Sequence, residues 1–214
     1  MYIYPYDLNY NLADIQIKLA KQVIKEDIPV DHRMIAGVDV SFSQDDMAVA
    51  AAVSIDRKTM EIKETVTREV ELTFPYIPGF LGFRESGAMI SVLNDLEKDF
   101  NVIMVNGHGI LHPRGFGLAS HVGVMMDVPT LGLAKRLIVG SHIEGDTSSA
   151  QPIIFRNEPV GAFINGYYVS IGHKISLKTA LKIVKETSIY KTPEPVRQAH
   201  IHATKTFKNI LSEL

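Results

Sequence analysis

Apolar positions along the chain change their period several times, and each change marks an element. Leu12, Ile15, Leu19 and Val23 recur at helical spacing with Lys18, Lys21 and Lys25 opposite. This predicts a helix over Leu12 to Ile24, capped by Asp7 or Asn9 and ended by Pro29. Met34 to Phe42 is a mostly apolar run with Asp39 in its middle, and Met47 to Ile55 is nearly all Ala and Val, a strand buried on both faces. Glu61 to Leu72 alternates, with Ile62, Val66 and Val70 set against Lys63, Thr67 and Glu71, as in a strand with one wet face. Asp56-Arg57-Lys58 supplies a turn, so the three runs form an antiparallel meander.

Phe74 to Phe80 holds Pro75, Pro78 and Gly79 and reads as a stiff loop with exposed aromatics. A helix from about Glu85 to Asp99, a buried strand from Val102 to Val105, a helix from about Gly117 to Met126 and a short strand from Val128 to Ala134 follow. Gly140 to Ser149 is small and polar, a surface loop. Ile153 to Phe155, Gly161 to Ile164 and Tyr167 to Ile171 are short strands or hairpin arms, with Asn165-Gly166 as a turn. Ser176 caps a helix over Leu177 to Ser188, and Pro193-Glu194-Pro195 opens a last helix. Three antiparallel strands followed by αβαβ make a mixed α/β sheet flanked by helices. With no repeat and no linker, residues 1–214 read as one domain.

Composition narrows the classes. The chain is 46% hydrophobic and 21% charged, an ordinary balance for a protein with its own core. It has no Cys, which excludes disulfides, thiolate metal sites and a Cys nucleophile. No apolar run approaches the ~20 residues of a membrane span, and Met1 to Tyr10 has no secretory pattern, so a cytoplasmic location and no membrane partner are expected. The formal net charge is −2, so nucleic-acid binding would rest on a local basic face. Arg84, Arg114, Lys135 and Arg136 beside the Gly-rich motifs are the candidates, while Lys174, Lys178, Lys182 and Lys185 read as a solvated helix face.

Several residues carry potential chemistry. A carboxylate inside a run as apolar as Ile35 to Val40 is costly without a partner, so Asp39 is a candidate metal ligand on a central strand. Glu85 sits near a helix start, beside the stiff loop. Asn106 stands where the Val102 strand ends, the place where α/β sheets put functional groups. If their strands are neighbours, Asp39 and Asn106 lie side by side. Oxygen ligands of this kind suit Mg²⁺ or Mn²⁺ rather than Zn²⁺. His108 and His112 are four apart, but Gly109 and Pro113 rule against a zinc helix. Lys135 follows a buried strand, and His200 lies in the last helix with His202 beside it; Lys135 and one of these histidines are expected to reach the same sheet edge, with His202 the more ordinary surface residue. No Ser stands in a nucleophile elbow.

Five blocks, in order, resemble the endonuclease V family, which cuts near deaminated purines. They are Gly37-Val38-Asp39-Val40-Ser41-Phe42, Pro75 to Glu85, Val105-Asn106-Gly107-His108-Gly109 with His112-Pro113-Arg114, Gly132 to Lys135, and Pro193 to His200. The resemblance implies a ribonuclease H-like fold and Mg²⁺-dependent hydrolysis of the second phosphodiester 3′ to deoxyinosine, leaving 3′-hydroxyl and 5′-phosphate ends. It implies metal binding by Asp39, Glu85 and Asn106, with Lys135 and His200 near the metal and the scissile phosphate. It further implies a lesion wedge of Pro75, Tyr76, Ile77 and Pro78, and a base pocket around Gly79, Leu81, Gly107 and Gly109. His112 and Arg114 are expected to contact phosphate.

The expected partner is DNA containing deoxyinosine, or inosine RNA, and the expected state is a monomer. One departure stands out: the family pattern has Asp where this chain has Asn106. An amide oxygen still ligates a metal but brings no charge and cannot act as a base. Weak or absent cleavage is therefore expected. The competing readings are an inosine-binding protein without nuclease activity and a ribonuclease H-like protein without lesion preference.

Overall fold

The computed structural model describes residues 12–42, 47–97, 99–143 and 149–213. The caps proposed at Asp7 or Asn9 lie outside them. One mixed sheet of nine strands runs through the structure in the order β3-β2-β1-β4-β5-β9-β8-β7-β6. Its first part is the expected meander: β1 (Met34–Phe42), β2 (Met47–Asp56) and β3 (Glu61–Glu71), each antiparallel to the last. β4 (Val102–Asn106) lies parallel to β1, and β5 (Thr130–Ala134) parallel to β4, joined through α3 (Leu118–Met126). The ribonuclease H-like fold is therefore as expected.

The sheet then continues further than the sequence suggests. β6 (Ser141–His142), β7 (Gln151–Phe155), β8 (Glu158–Ile164) and β9 (Tyr167–His173) form a second meander, and β9 joins it to β5 antiparallel. Asn165 and Gly166, both at positive φ, make the expected tight turn, and Arg156-Asn157 make a second one of the same kind. β6 also corrects the reading of Gly140 to Ser149 as loop alone.

Side-chain alternation along β1 divides the core in two. Ala36, Val38 and Val40 pack with Met89, Leu93 and Val122 under α2 (Leu81–Asn94) and α3. Ile35 packs on the other face with Ala180, Ile183 and Val196, from α4 (Leu177–Thr187) and α5 (Glu194–Glu213). A Cβ on Gly37 would lie 2.1 Å from the Pro195 carbonyl oxygen, so only glycine lets α5 press this closely on β1. Ser176 caps α4 as expected, accepting from the Thr179 N–H.

Two helices begin or end elsewhere than expected. α1 (Leu12–Ala20) stops short of Ile24, since Ile24 donates to His173 Nδ1 (3.3 Å) and accepts from Lys174 N (2.7 Å), which draws the chain out of the helix. α2 begins at Leu81, not Glu85, and ends at Asn94. Its early start is a packing effect: Gly82 lies against His121, and the Phe83 ring is T-shaped on the same imidazole (5.2 Å) and 6.0 Å from both Phe74 and Phe80. The alternation in β3 breaks near its start, where a register shift opposite Ser54 and Ile55 leaves Ile62 exposed.

Candidate active site

β1 and β4 run parallel with Val38 opposite Val105, so the next pair along the two strands is Asp39 and Asn106. Asp39 shares the α5 face of β1 with Ile35 and Gly37. Its carboxylate is buried, and two donors converge on it. Asn106 Nδ2 donates to Oδ1 at 2.9 Å, and the Nδ1–H of His200 donates to Oδ2 at 2.7 Å. Asp39 thereby fixes the imidazole tautomer, leaving Nε2 of His200 on the largely exposed side. The hydrogen bond to Asp39 raises the His200 pKa, while burial and the nearby Lys135 cation oppose it. Lys135 follows β5 directly and is exposed.

Glu85 reaches the same point from the other side of the sheet. It lies on the second turn of α2, so it gains less from the helix N-terminus than a first-turn residue would. Burial raises its pKa to about 8, the Asp39 charge adds to this, and the Arg84 guanidinium opposes it. The five residues expected at the reaction centre are thus brought together at the C-terminal ends of β1 and β4 and the mouth of β5.

The donor set fits a hard divalent cation in chemistry. Two buried carboxylates that repel one another, with an amide oxygen source between strand ends, are oxygen ligands in want of positive charge. Among the described residues, however, no group of three or more His, Cys, Asp and Glu side chains stands ready as a metal cage. Asn106 is the neutral member of the set, hydrogen-bonded to Asp39 rather than adding a third carboxylate.

The Pro-rich loop stands beside this centre. Pro75, Tyr76, Ile77 and Pro78 are all exposed, Tyr76 by 64%. Both ends of the loop are tied down. Phe74 is buried and its carbonyl accepts from Arg84 Nη1. At the other end Gly79, at φ 82°, turns its carbonyl inward to three donors: Gln16 Nε2 (3.2 Å), His112 Nε2 (3.1 Å) and Arg114 Nη2 (2.6 Å). Arg114 also stacks over the Phe80 ring at 4.3 Å and donates to Gln16 Oε1.

These contacts change the picture for two expected phosphate ligands. His112 is buried, its Nδ1 accepts from Arg114 N, and burial together with the Arg114 charge lowers its pKa to about 4. It is a neutral donor to the loop. Arg114 is half-buried and braces the same carbonyl. Gln16, 1% exposed, is the residue that pattern reading misses. Its signal was a polar residue flanked by Leu12, Ile15 and Leu19 on the inward face of α1.

The glycines of the β4–α3 loop serve packing first. Gly109 is buried, with its N–H on Ser170 Oγ (2.8 Å), and a Cβ there would lie 1.9 Å from the Ile171 oxygen. Gly107 and Leu81 are half-buried and nearer the open side. His108 donates from Nε2 to the Arg136 carbonyl (2.7 Å), which holds the segment after Lys135 in place.

Comparison with known proteins gives the chain its relatives. A family model described as Endonuclease V matches residues 17–201. Endonuclease V of Dictyoglomus thermophilum is 40% identical over 200 residues, 89% of this chain and 87% of that protein. The crystal structure of human ENDOV superposes with a TM-score of 0.84 at 29% identity, covering 94% of this chain and 98% of that one. The structure of Ciona intestinalis endonuclease V in complex with a DNA containing an inosine followed by a ribo-adenosine gives a TM-score of 0.85 at 29% identity, covering 93% and 97%. With a family match over most of its length and the strand-end constellation in place, this chain belongs to the endonuclease V family.

Proposed function

We propose that this protein is a DNA repair endonuclease that recognises deoxyinosine and hydrolyses the second phosphodiester on its 3′ side, leaving 3′-hydroxyl and 5′-phosphate ends. The observation that carries the reading is the meeting of Asp39, Glu85, Asn106, Lys135 and His200 beside the anchored, exposed Pro75–Pro78 loop. The inosine-containing DNA held by the Ciona relative supports the choice of substrate. The protein acts as one domain and a monomer in the cytoplasm, and among the described residues no helix is long and apolar enough to cross a membrane.

Each group then has a task. Pro75 and Pro78 stiffen the loop so that Tyr76 and Ile77 enter the stack and hold the gap left by the extruded base. Gly79, Leu81 and Gly107, with the loop ending at Gly109, frame the pocket for that base. Asp39, Glu85 and the Asn106 oxygen would hold Mg²⁺, or Mn²⁺ in its place, which when bound would supply an acidified water and charge neutralisation at the phosphate. Protonated to the imidazolium that the Asp39 hydrogen bond favours, His200 would present Nε2–H to a phosphate or leaving-group oxygen as a hydrogen-bond or proton donor. The Lys135 cation draws the same phosphate in, and Arg114 offers its remaining guanidinium donors next to the wedge.

Asn106 favours a second reading. Its hydrogen bond to Asp39 lets the two strand ends lie together without a cation between them. This chain therefore binds metal weakly and cuts slowly, and in the limit it is an inosine-binding protein for DNA or RNA without nuclease activity.

The test uses two labelled duplexes, one with a single deoxyinosine and one without, incubated with Mg²⁺ and either the protein or Asn106→Asp. Retention of the inosine duplex by both proteins and faster cutting by Asn106→Asp are expected. If neither protein holds or cuts the inosine duplex, the proposal is removed, and RNA with inosine would then be tried.

A further inference from the structure

We propose that α5 is the track for the nucleic-acid strand on the 3′ side of the scissile phosphate; this rests on the cleavage geometry proposed above. Between Pro195 and Ser212 the helix has no acidic residue, yet carries Arg197, His200, His202, Lys205 and Lys208. On a chain of net charge −2 such a run is a local concentration of positive charge. Arg197 is neutralised by Glu194. Lys205 and Lys208 are exposed, and among the described residues no carboxylate pairs with either.

The placement is what makes this charge useful. His200, Ile201, Thr204, Lys205, Lys208 and Asn209, all on one face of α5, line a shallow open depression of about 380 Å³. Its inner end is the imidazole hydrogen-bonded to Asp39. One turn further, Thr204 Oγ1 and Ser41 Oγ are 3.2 Å apart, so α5 follows β1 outward from the reaction centre. From His200 to Asn209 the helix advances about 14 Å at 1.5 Å per residue, room for several phosphates at roughly 3.4 Å per strand charge.

Direction follows from the two faces of the sheet. The Pro75–Pro78 loop leads into α2, whose core packs on the Ala36–Val38 face. α5 packs on the opposite one through Val196. Asp39 lies between. A strand that leaves the wedge, crosses Asp39 and continues must pass onto α5. Since the cut falls 3′ to the lesion, the segment on α5 is the 3′ one, and it becomes the 5′-phosphate product. Lys205 and Lys208 meet its phosphates, and Thr204 and Asn209 offer hydrogen-bond donors.

The experiment measures binding in EDTA, where no cleavage intrudes. It compares the unchanged protein with Lys205→Ala/Lys208→Ala, and with Lys178→Ala/Lys185→Ala on α4 as a charge-matched control. The probes are duplexes with one deoxyinosine, full length or trimmed on either side of the lesion. We expect the α5 variant to bind the full duplex about tenfold more weakly and to lose about two from the slope of log affinity against log salt. Trimming the 3′ arm beyond the cut should weaken the parent and the control but not the α5 variant. Trimming the 5′ arm should weaken all three alike. If 3′ trimming costs the α5 variant as much as the parent, or the salt slope is unchanged, the track is not on α5. If the parent prefers inosine duplex no more than plain duplex, the proposed function fails instead, and the salt slope on plain duplex still decides the α5 question.

Discussion

Asn106 Nδ2 lies 2.9 Å from Asp39 Oδ1, and this single hydrogen bond joins the ends of the two parallel strands at the centre of the site. Together with the His200 donor on Oδ2, it satisfies a buried carboxylate without a metal ion. Asn106→Asp replaces a charge-assisted hydrogen bond by a repulsion. Losing such a bond costs about 1.5–3 kcal/mol, so the variant should unfold at lower temperature in EDTA and recover in excess Mg²⁺. The unchanged protein should show little Mg²⁺-dependent stabilisation. Thermal unfolding with and without Mg²⁺ reads both, and an equal metal response in the two proteins would sink the idea that Asn106 weakens the metal site.

Glu85 gives the site a pH signature. Its folded pKa is about 8, against 4.5 for the free side chain. Between these values the folded protein holds a proton that the unfolded chain has lost. Stability therefore falls as pH rises through this window and stops falling above the folded pKa. At about 1.4 kcal/mol for each pH unit between the two values, the loss amounts to a few kcal/mol. Denaturant midpoints in EDTA at pH 5 and pH 8.5 should show it, and Glu85→Gln should flatten the difference. A metal ion must displace the same proton, so Mg²⁺ affinity should climb with pH up to about 8.

Tyr76 is exposed and its loop is anchored at Phe74 and Gly79. Tyr76→Ala should leave the melting temperature unchanged and weaken binding to an inosine duplex by about 1–3 kcal/mol, the range for a lost base stack. Fluorescence anisotropy with inosine and plain duplexes measures it. An unchanged affinity for inosine duplex takes Tyr76 out of the wedge.

The carbonyl of Gly79 is the anchor for the wedge's second end. Gly79→Ala puts an L side chain at φ 82°, with its Cβ 2.8 Å from Arg114 Nη2. The left-handed conformation alone costs about 1–2 kcal/mol, and displacing Arg114 adds to it. Arg114→Lys keeps the charge but cannot serve Gly79 and Gln16 Oε1 together. Both variants should lose discrimination between inosine and plain duplex by a larger factor than they lose affinity for plain duplex. Equal losses on both duplexes would reduce Arg114 to a general phosphate contact.

Much of this architecture follows from local chemistry that a sequence displays. The apolar run Met34–Phe42, the Ala- and Val-rich β2 and the Asn165-Gly166 turn all appear where composition and turn chemistry place them. Asp39 was conspicuous because a carboxylate in so apolar a run needs partners, and it has two. Element ends were less legible. Leu81 to Arg84 follow a Pro-rich loop and include a glycine, so nothing local marks them as helical; the Phe83–His121–Phe74 packing does.

By itself, then, the sequence determined most of the helical and strand segments and marked Asp39 and Asn106 as the polar residues of two apolar strands. These are properties of neighbours a few positions apart. Only the tertiary structure decided which of them meet. Asp39 and His200 are 161 residues apart, and Gln16 and Phe116 are 100 apart. It turned His112 inward, assigned Gly109 to packing against Ile171, and extended the sheet through β9. Such partners are selected by burial, register and the pressing of α5 on Gly37, and no local period carries that information.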